Sequence, residues 1–241
     1  MGLELYYSPK PPKDGLLVIT GQEARHIARV MRHAVGDKMA VTDGSGTEFE
    51  VELTGVKADR VEGKVLASRT GMREAKHRLV LAQAMLKGDK LVQICEQVTE
   101  LGVAEIVPLE TRRTVGRLSP AKMRRLQSAA LAALKSSTRT MLPRIGEPIT
   151  FEQLLALAKE FDHVLVAYEE ETGPGLGRAL NRDAGSVLVV VGPEGGFEPE
   201  EIARLKQAGA VSFTLGPRRL RAETAAVAVA ALTLGLLGDL G

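Results

Sequence analysis

An uninterrupted apolar segment, residues 187–191, constrains this 241-residue chain most, because it runs directly into a glycine-rich turn and then a helix beginning at Pro199. A strand with no alternation of polar residues is typical of a central strand covered on both faces. Short apolar segments alternate with helical patterns from residue 79 onward, which predicts an α/β fold with a mainly parallel sheet. Ligands bind such sheets at the carboxyl ends of strands, so the glycine-rich turn is a candidate site.

Residues 1–70 carry a different pattern. Short segments of strand character, separated by turns rich in Pro, Gly and Asp, surround one helical segment at residues 21–34. This pattern predicts a small β-barrel domain. Residues 68–76 are polar and basic, as expected of a linker, so we expect residues 71–241 to form the second domain.

Composition excludes several kinds of site. Cys95 is the only cysteine, which excludes an internal disulfide framework and a cysteine-based zinc site, and no histidine pair has metal-ligand spacing. Residues 1–12 lack the apolar core of a signal peptide, and the longest apolar segment, residues 225–237, is too short to span a bilayer. We therefore expect a cytoplasmic protein with no metal and no membrane partner.

The near-neutral net charge of +2 conceals a long basic segment. Residues 110–144 contain nine lysines and arginines against a single acidic residue, Glu110. Such clustering is typical either of a solvated helix face or of a surface that binds a polyanion such as RNA. The scarcity of acidic residues over so long a segment leaves these two interpretations balanced.

The glycine-rich turn, GPEGGF at residues 192–197, is acidic and lacks phosphate-binding residues. It has neither the lysine of a P-loop nor the GxGxxG of a dinucleotide site, and Glu194, Glu198, Glu200 and Glu201 lie in it or just after it. Carboxylates suit a helix N-terminus but repel a phosphate. A neutral or cationic ligand held by backbone groups, such as a sulfonium cofactor, fits this turn better. The alternative is a purely structural turn with acidic capping residues.

A second strand end with a glycine turn follows at residues 215–226, LGPRRLRAETAA. Its three arginines have the planar donor geometry that suits RNA phosphates or a base edge. The helix after this loop, residues 224–237, is apolar almost all round, which predicts that it packs in the core and against another subunit.

These two motifs, together with TELGV at residues 99–103 and ARHIARVMRHAVGD at residues 24–37, resemble the RsmE family of ribosomal RNA methyltransferases. The resemblance covers nearly the whole chain. It implies a SPOUT-type knotted parallel sheet with helices on both faces, an N-terminal PUA-like β-barrel, and a homodimer. It also implies S-adenosylmethionine-dependent methylation of the N3 atom of one uridine in 16S ribosomal RNA, with the free RNA or the small ribosomal subunit as partner.

The resemblance places the cofactor among three loops at strand ends. The residues expected to bind it are Ala167, Tyr168, Gly192, Pro193, Gly195, Gly196, Leu215, Gly216, Leu220, Arg221, Thr224 and Ala225. The residues expected to bind RNA are Arg25, Arg29 and Arg32 in the barrel, Arg113 and Arg139 at family arginine positions, and Arg218 and Arg219 in the second loop.

Catalytic roles are hypotheses based on loop position. We expect Arg221 to stabilise negative charge on the uracil oxygens, and Glu194 either to accept the N3 proton or to orient its loop. The chain departs from the family pattern at Gln97, where a lysine is common, and at Lys135 and Ser136, where an acidic or amide pair is common.

Two other functions remain compatible with the residues. A non-catalytic RNA-binding assembly factor would keep the basic segment without cofactor affinity. A nucleotide-dependent enzyme would use the glycine loops for phosphate, against which the missing P-loop lysine and the acidic turn argue.

Overall fold

The computed structural model describes residues 4–240, which divide into two compact units. The N-terminal unit comprises the described residues up to Glu74 together with Leu134–Leu142. The C-terminal unit comprises Ala75–Ala133 and the described residues from Pro143 onward. Nothing in the sequence indicated that Leu134–Leu142 belongs with the N-terminal unit.

The N-terminal unit is built on one five-stranded sheet with the order β1-β3-β4-β5-β2. Its strands are β1 (Leu5–Tyr7), β2 (Leu16–Thr20), β3 (Lys38–Thr42), β4 (Thr47–Lys57) and β5 (Arg60–Thr70). Only β1 and β3 run parallel, and the other pairs are antiparallel. Apolar side chains that alternate along the strands, with Leu17, Met39 and Val51 among them, form a core of their own.

The helical segment of this unit is shorter than predicted. Instead of a helix over residues 21–34, the chain forms α1 (Gly21–Arg25) and one π-helical turn, His26–Val30. Ile27 is buried, whereas Val30 and Met31 are exposed, so their helical spacing did not indicate a buried face. The helix ends because the next residues form a polar turn, in which the Asp37 carboxylate accepts a hydrogen bond of 2.8 Å from the Ala34 backbone N–H.

The C-terminal unit contains a six-stranded sheet in which every pair is parallel, in the order β11-β9-β10-β6-β7-β8. The strands are β6 (Arg78–Ala84), β7 (Glu105–Leu109), β8 (Arg144–Ile145), β9 (His163–Ala167), β10 (Ser186–Val191) and β11 (Val211–Phe213). The apolar β10 is central and buried, as its composition predicted. The predicted α/β class is therefore confirmed.

In the described part of this unit, five α-helices connect the strands and a sixth, α7, follows the last strand. They are α2 (Lys90–Leu101), α3 (Pro120–Ser136, which ends in the N-terminal unit), α4 (Phe151–Leu157), α5 (Leu176–Ala179), α6 (Pro199–Gln207) and α7 (Ala222–Leu237). No helix in the described part of the chain is long and apolar enough to cross a membrane. The short elements β8 and α5 were not predicted, because two to four residues carry no readable periodicity.

Helix α7 buries one face rather than its whole circumference. Ala226, Val229 and Ala230 are buried, and the helix packs against α2, while Leu232 is half-exposed. The prediction that this helix contributes to the core is confirmed. The apolar residues on its other side, Leu232 among them, are not covered by the rest of the described chain, and their predicted contact with another subunit stays a prediction.

Three strands of the sheet end at one level. Val191 of β10 lies opposite Ala167 of β9, which lies opposite Phe213 of β11. The segments that follow these residues therefore leave the sheet side by side, at the edge where α/β folds bind ligands.

Candidate active site

A cleft of about 620 Å³ lies at the carboxyl ends of β9, β10 and β11, within the C-terminal unit. Most residues predicted to bind a cofactor line it, namely Ala167, Tyr168, Gly192, Pro193, Gly195, Gly196, Leu215, Gly216, Leu220 and Ala225. Thr224 and Arg221 are exposed and lie just beyond its lining. Its volume lies within the range of small-molecule and cofactor pockets.

Gly192 and Gly196 of the glycine-rich turn leave no room for a side chain. A Cβ at Gly192 would lie 3.0 Å from the buried ring of Phe197. Gly196 has a φ of +70°, which disfavours any residue with a Cβ, and a Cβ there would collide with the carboxylate of Glu169. The Gly196 N–H donates a hydrogen bond of 2.9 Å to the Pro193 carbonyl, which closes the turn. Backbone atoms therefore form this wall of the cleft.

Arg113 holds this turn in place. Its guanidinium donates two hydrogen bonds to the Glu198 carboxylate, at 2.8 and 2.9 Å, and a third of 2.8 Å to the Gly195 carbonyl. The Arg113 contact lowers the pKa of Glu198 below its ordinary value. The predicted phosphate contact of Arg113 would compete with these bonds, so the geometry favours a role in fixing the shape of the turn.

A buried carboxylate joins the same loops. Glu201 accepts a hydrogen bond of 3.0 Å from the Arg112 backbone N–H and one of 2.9 Å from the Glu198 N–H, the second as part of the cap of α6. Glu201 is only 2% exposed. The sequence predicted that the acidic residues of this turn suit or cap the N-terminus of the helix, but it did not indicate this second bond to the loop after β7.

Glu194 is tied to helix α2. Its carboxylate lies 3.1 Å from Lys90 Nζ and accepts a longer hydrogen bond of 3.3 Å from the Lys87 backbone N–H. Burial acts against ionisation, but backbone hydrogen bonds and Lys90 keep the pKa of Glu194 below its ordinary value. An ion-paired carboxylate of lowered pKa is a weak proton acceptor, so the geometry favours loop orientation as its role.

An acidic wall faces the glycine-rich turn and was missed at the sequence level. Glu169, Glu170 and Glu171 follow β9 and line the cleft. The Glu170 carboxylate accepts a hydrogen bond of 2.7 Å from the Tyr168 hydroxyl, which raises the pKa of Tyr168 to about 12. The run of three glutamates directly after a predicted strand was the signal that could have identified this wall.

Glu171 should make the stability of the folded protein depend on pH. Hydrogen bonds from the Ser212 hydroxyl, from Lys206 and from the Gly173 N–H lower the pKa of Glu171 from 4.5 to about 2. Because the pKa of Glu171 is depressed in the folded state, its ionised carboxylate stabilises the folded protein above pH 4.5, and this contribution is lost as the pH falls toward 2. We expect Glu171→Gln to unfold at a lower temperature than the wild type at pH 6, with the difference shrinking by pH 2.5 in calorimetric scans. Glu160→Gln, at an exposed position, is the control, and a pH-independent difference would contradict the assignment.

The second loop supplies cations without partners. Arg218 and Arg219 line the cleft, and Arg221 precedes the first residue of α7. All three are exposed and form no ion pair with any residue from 4 to 240. The Arg221 carbonyl accepts a hydrogen bond of 2.8 Å from the Ala225 N–H, so the backbone that carries its side chain is fixed. These guanidinium groups are available to an anionic ligand.

The arginines predicted to bind RNA in the N-terminal unit differ in their exposure. Arg25, Arg29 and Arg32 are exposed. Arg139 is 2% exposed, and its guanidinium bonds the Glu74 carboxylate at 2.8 and 3.0 Å. The geometry therefore favours a structural role for Arg139, because a phosphate could reach it only if this buried pair broke, and its contact with RNA stays a prediction.

The departures from the family pattern also have structural contexts. The ammonium of Lys135 lies 3.0 Å from the Glu23 carboxylate, which also accepts a hydrogen bond from the Tyr7 N–H. The lysine therefore forms an ion pair within the N-terminal unit. Gln97 is exposed on α2. Among residues 4–240, no group of three or more side chains is arranged to hold a metal ion.

Two family models match this chain. One, described as an RNA methyltransferase domain, matches residues 73–234, and the other, described as an RNA methyltransferase PUA domain, matches residues 19–66. Ribosomal RNA small subunit methyltransferase E from Bacillus subtilis is 36% identical over 217 residues, which cover 86% of this chain and 85% of that protein. The chain belongs to the ribosomal RNA small subunit methyltransferase E family. The enzyme class predicted from its motifs, an RNA methyltransferase with a PUA domain, is confirmed.

Further members of the methyltransferase E family agree over the full length. The Mycobacterium bovis protein is 30% identical over 243 residues, which cover 98% of this chain and 90% of the relative. The crystal structure of methyltransferase E from Neisseria gonorrhoeae, bound to S-adenosyl methionine, superimposes with a TM-score of 0.86 at 27% identity and covers 97% of this chain and 98% of that one. These relatives are all named as methyltransferases, and none is named as a non-catalytic assembly factor.

Proposed function

We propose that this protein transfers a methyl group from S-adenosylmethionine to the N3 atom of a uridine in 16S ribosomal RNA, and that the reaction takes place in the cleft of the C-terminal unit. The observation that carries the proposal is the division of charge in one cavity. Glutamates line one wall and backbone atoms of the glycine-rich turn line another, while Arg218 and Arg219, which form no ion pair within residues 4–240, line the cleft as well.

The residues of the cleft fit the proposed cofactor. Glu169, Glu170 and Glu171 favour a ligand that carries positive charge, as a sulfonium and an α-amino group do, and disfavour a nucleoside triphosphate. Gly192, Gly195 and Gly196 allow a ligand to approach backbone N–H and C=O groups. When bound, the cofactor supplies an electrophilic methyl group.

The chain's own residues would position the base and stabilise its anion. N3 of uridine is a weakly acidic imide, so its proton must pass to solvent water before the nitrogen can attack the methyl carbon. A guanidinium beside the uracil oxygens favours the anion, and Arg221, exposed between the cleft-lining residues Leu220 and Ala225 in the chain, would supply it. Arg218 and Arg219 would hold the flanking phosphates. Because N3 lies on the pairing edge, the target uridine must be unpaired or flipped out.

Other parts of the proposal concern assembly and location. In the N-terminal unit, the exposed Arg25, Arg29 and Arg32 would bind RNA phosphates. The half-exposed Leu232 of α7 supports a homodimer, which sedimentation at micromolar concentration would test. A cytoplasmic location follows from the proposed substrate, and the trefoil knot stays a prediction.

Mass-spectrometric mapping of ribosomal RNA tests the function directly. RNA from a strain that lacks the gene is incubated with the purified protein and S-adenosylmethionine, either free or as assembled small subunits. We expect one new N3-methyluridine in 16S RNA. Methylation at a carbon or at a ribose oxygen, or none on either substrate, would contradict the proposal.

A glycine substitution tests the fit of the cofactor. Gly196→Ala places a Cβ against the Glu169 carboxylate at a φ of +70°, so the Glu169 side chain must turn aside and the backbone of the turn is strained. We expect the Kd for S-adenosylhomocysteine to rise by about tenfold, equivalent to roughly 1.4 kcal/mol. Gly209→Ala is a matched control, because Gly209 also has a positive φ, +93°, but nothing lies within 4 Å of the added Cβ. Calorimetric titrations should show a much smaller change for the control, and equal changes would indicate general strain instead.

A further inference from the structure

Lys90 lies between one carboxylate in the glycine-rich turn and one in the first turn of α7, just after the second loop of the cleft. Its ammonium nitrogen is 3.1 Å from Oε1 of Glu194, in the glycine-rich turn, and 3.4 Å from Oε2 of Glu223, in the first turn of α7. Lys90 itself is the first residue of α2, against which α7 packs. One cation on a third element therefore contacts both the glycine-rich turn and the start of α7.

Both carboxylates depend on this cation. Oε2 of Glu223 is buried, and within residues 4–240 it has no hydrogen-bond partner, so the Lys90 ammonium is its neutralising contact. Glu194 has backbone donors as well, but Lys90 is its ion-pair partner. Without the ammonium, two carboxylates would face each other across a partly buried gap, and like charges in such a setting repel.

The two loops must stay at a fixed separation to share one ligand. The glycine-rich turn follows β10, whereas Leu215–Leu220 precede α7, so no continuous element sets their distance. Leu220 and Ala225 line the cleft on either side of Glu223 in the chain, and Pro193 and Gly195 flank Glu194. A contact that links the two glutamates therefore sets the spacing of the lining residues beside them.

We propose that Lys90 is a positioning residue that holds the glycine-rich turn and the start of α7 at the spacing the cofactor requires. The proposal rests on the proposed function for the identity of the ligand. The coupling of the two segments does not depend on the proposed function, because the Lys90 contacts are present in the protein without a ligand. Lys90 does not itself line the cleft, so it would act through Glu194, which does, and through Glu223 at the start of α7.

Hydrogen exchange on the ligand-free protein tests the coupling. Lys90→Met keeps the length of the side chain and removes the charge. We expect faster amide exchange in residues 192–197 and in residues 215–225 together, with the sheet unchanged. Lys90→Arg should restore slow exchange, and so should Lys90→Met combined with Glu223→Gln, because the second change removes the repulsion. Lys159→Met, which removes an exposed ammonium elsewhere in the unit, controls for net charge.

Titration with S-adenosylhomocysteine gives the second readout. We expect Lys90→Met to raise its Kd by about 5- to 20-fold at low salt, as for the loss of two partly exposed ion pairs. The difference should shrink in 1 M salt. At saturating S-adenosylmethionine, kcat on RNA should stay within about twofold while KM for the cofactor rises.

The outcomes separate this inference from the proposed function. Unchanged exchange in both loops of Lys90→Met would overturn the role of Lys90, whatever the ligand. Exchange that increases in only one loop, or that Glu223→Gln fails to restore, would also overturn it. A wild-type protein that binds no S-adenosylhomocysteine would contradict the proposed function, while the exchange data would still decide whether Lys90 couples the loops.

Discussion

Replacing Arg221 by alanine is expected to lower kcat for methyl transfer by about 100- to 1,000-fold, the usual loss when one preorganised donor to a developing oxyanion is removed. The side chain is exposed, forms no ion pair with residues 4–240, and projects from a backbone fixed at the start of α7. Its guanidinium can therefore turn to the uracil oxygens without breaking an existing contact. Since Arg221 lies beyond the cleft lining, the Kd for S-adenosylhomocysteine should change by no more than about twofold.

Single-turnover assays with 16S RNA and calorimetric titration with S-adenosylhomocysteine measure the two quantities separately. Arg182→Ala is the matched control, because Arg182 is an exposed arginine elsewhere in the same unit. An unchanged kcat would remove Arg221 from the mechanism. A large rise in Kd with kcat unchanged would make it a cofactor ligand, as its position in the family motif suggests.

Replacing Arg139 by alanine should lower the free energy of unfolding by about 3–5 kcal/mol, because it leaves the buried Glu74 carboxylate without its cation. The same carboxylate accepts hydrogen bonds of 2.7 and 2.8 Å from the Thr140 and Met141 backbone N–H groups. The pair therefore fixes the Leu134–Leu142 segment within the N-terminal unit.

Denaturant unfolding measures this loss, and Arg25→Ala is a suitable control because Arg25 is exposed in the same unit. RNA affinity distinguishes the two roles considered for Arg139. A variant of wild-type stability that binds RNA more weakly would restore the interpretation of Arg139 as a phosphate contact. A destabilised variant that, while folded, binds RNA normally would support the structural role.

The sequence predicted the parts of this molecule that depend on local pattern. The β10 segment has no polar alternation, and it is the central strand of a parallel sheet. The two glycine motifs follow strands, and both line one cleft. The exposed arginines of the second loop were also expected, because a loop after a strand end is on the surface.

Contacts between distant segments could not be predicted in this way. The strand order that brings Ala167, Val191 and Phe213 to one level is set by packing of the whole sheet. Arg113 and Arg139 have the same chemistry in the sequence, and only the structure shows that each already has a carboxylate partner. The helix predicted to reach Ala34 ended early because Asp37 bonds the backbone locally, a competition that apolar spacing does not reveal.

The structure of the protein crystallised with S-adenosylhomocysteine tests the central claim most directly. We expect one cofactor molecule between the backbone of Gly192–Gly196 and that of Leu215–Leu220, with its amino group toward Glu169–Glu171 and Arg221 facing the open side. Density for the cofactor at any other place, or a cleft too narrow for it between these loops, would contradict the account.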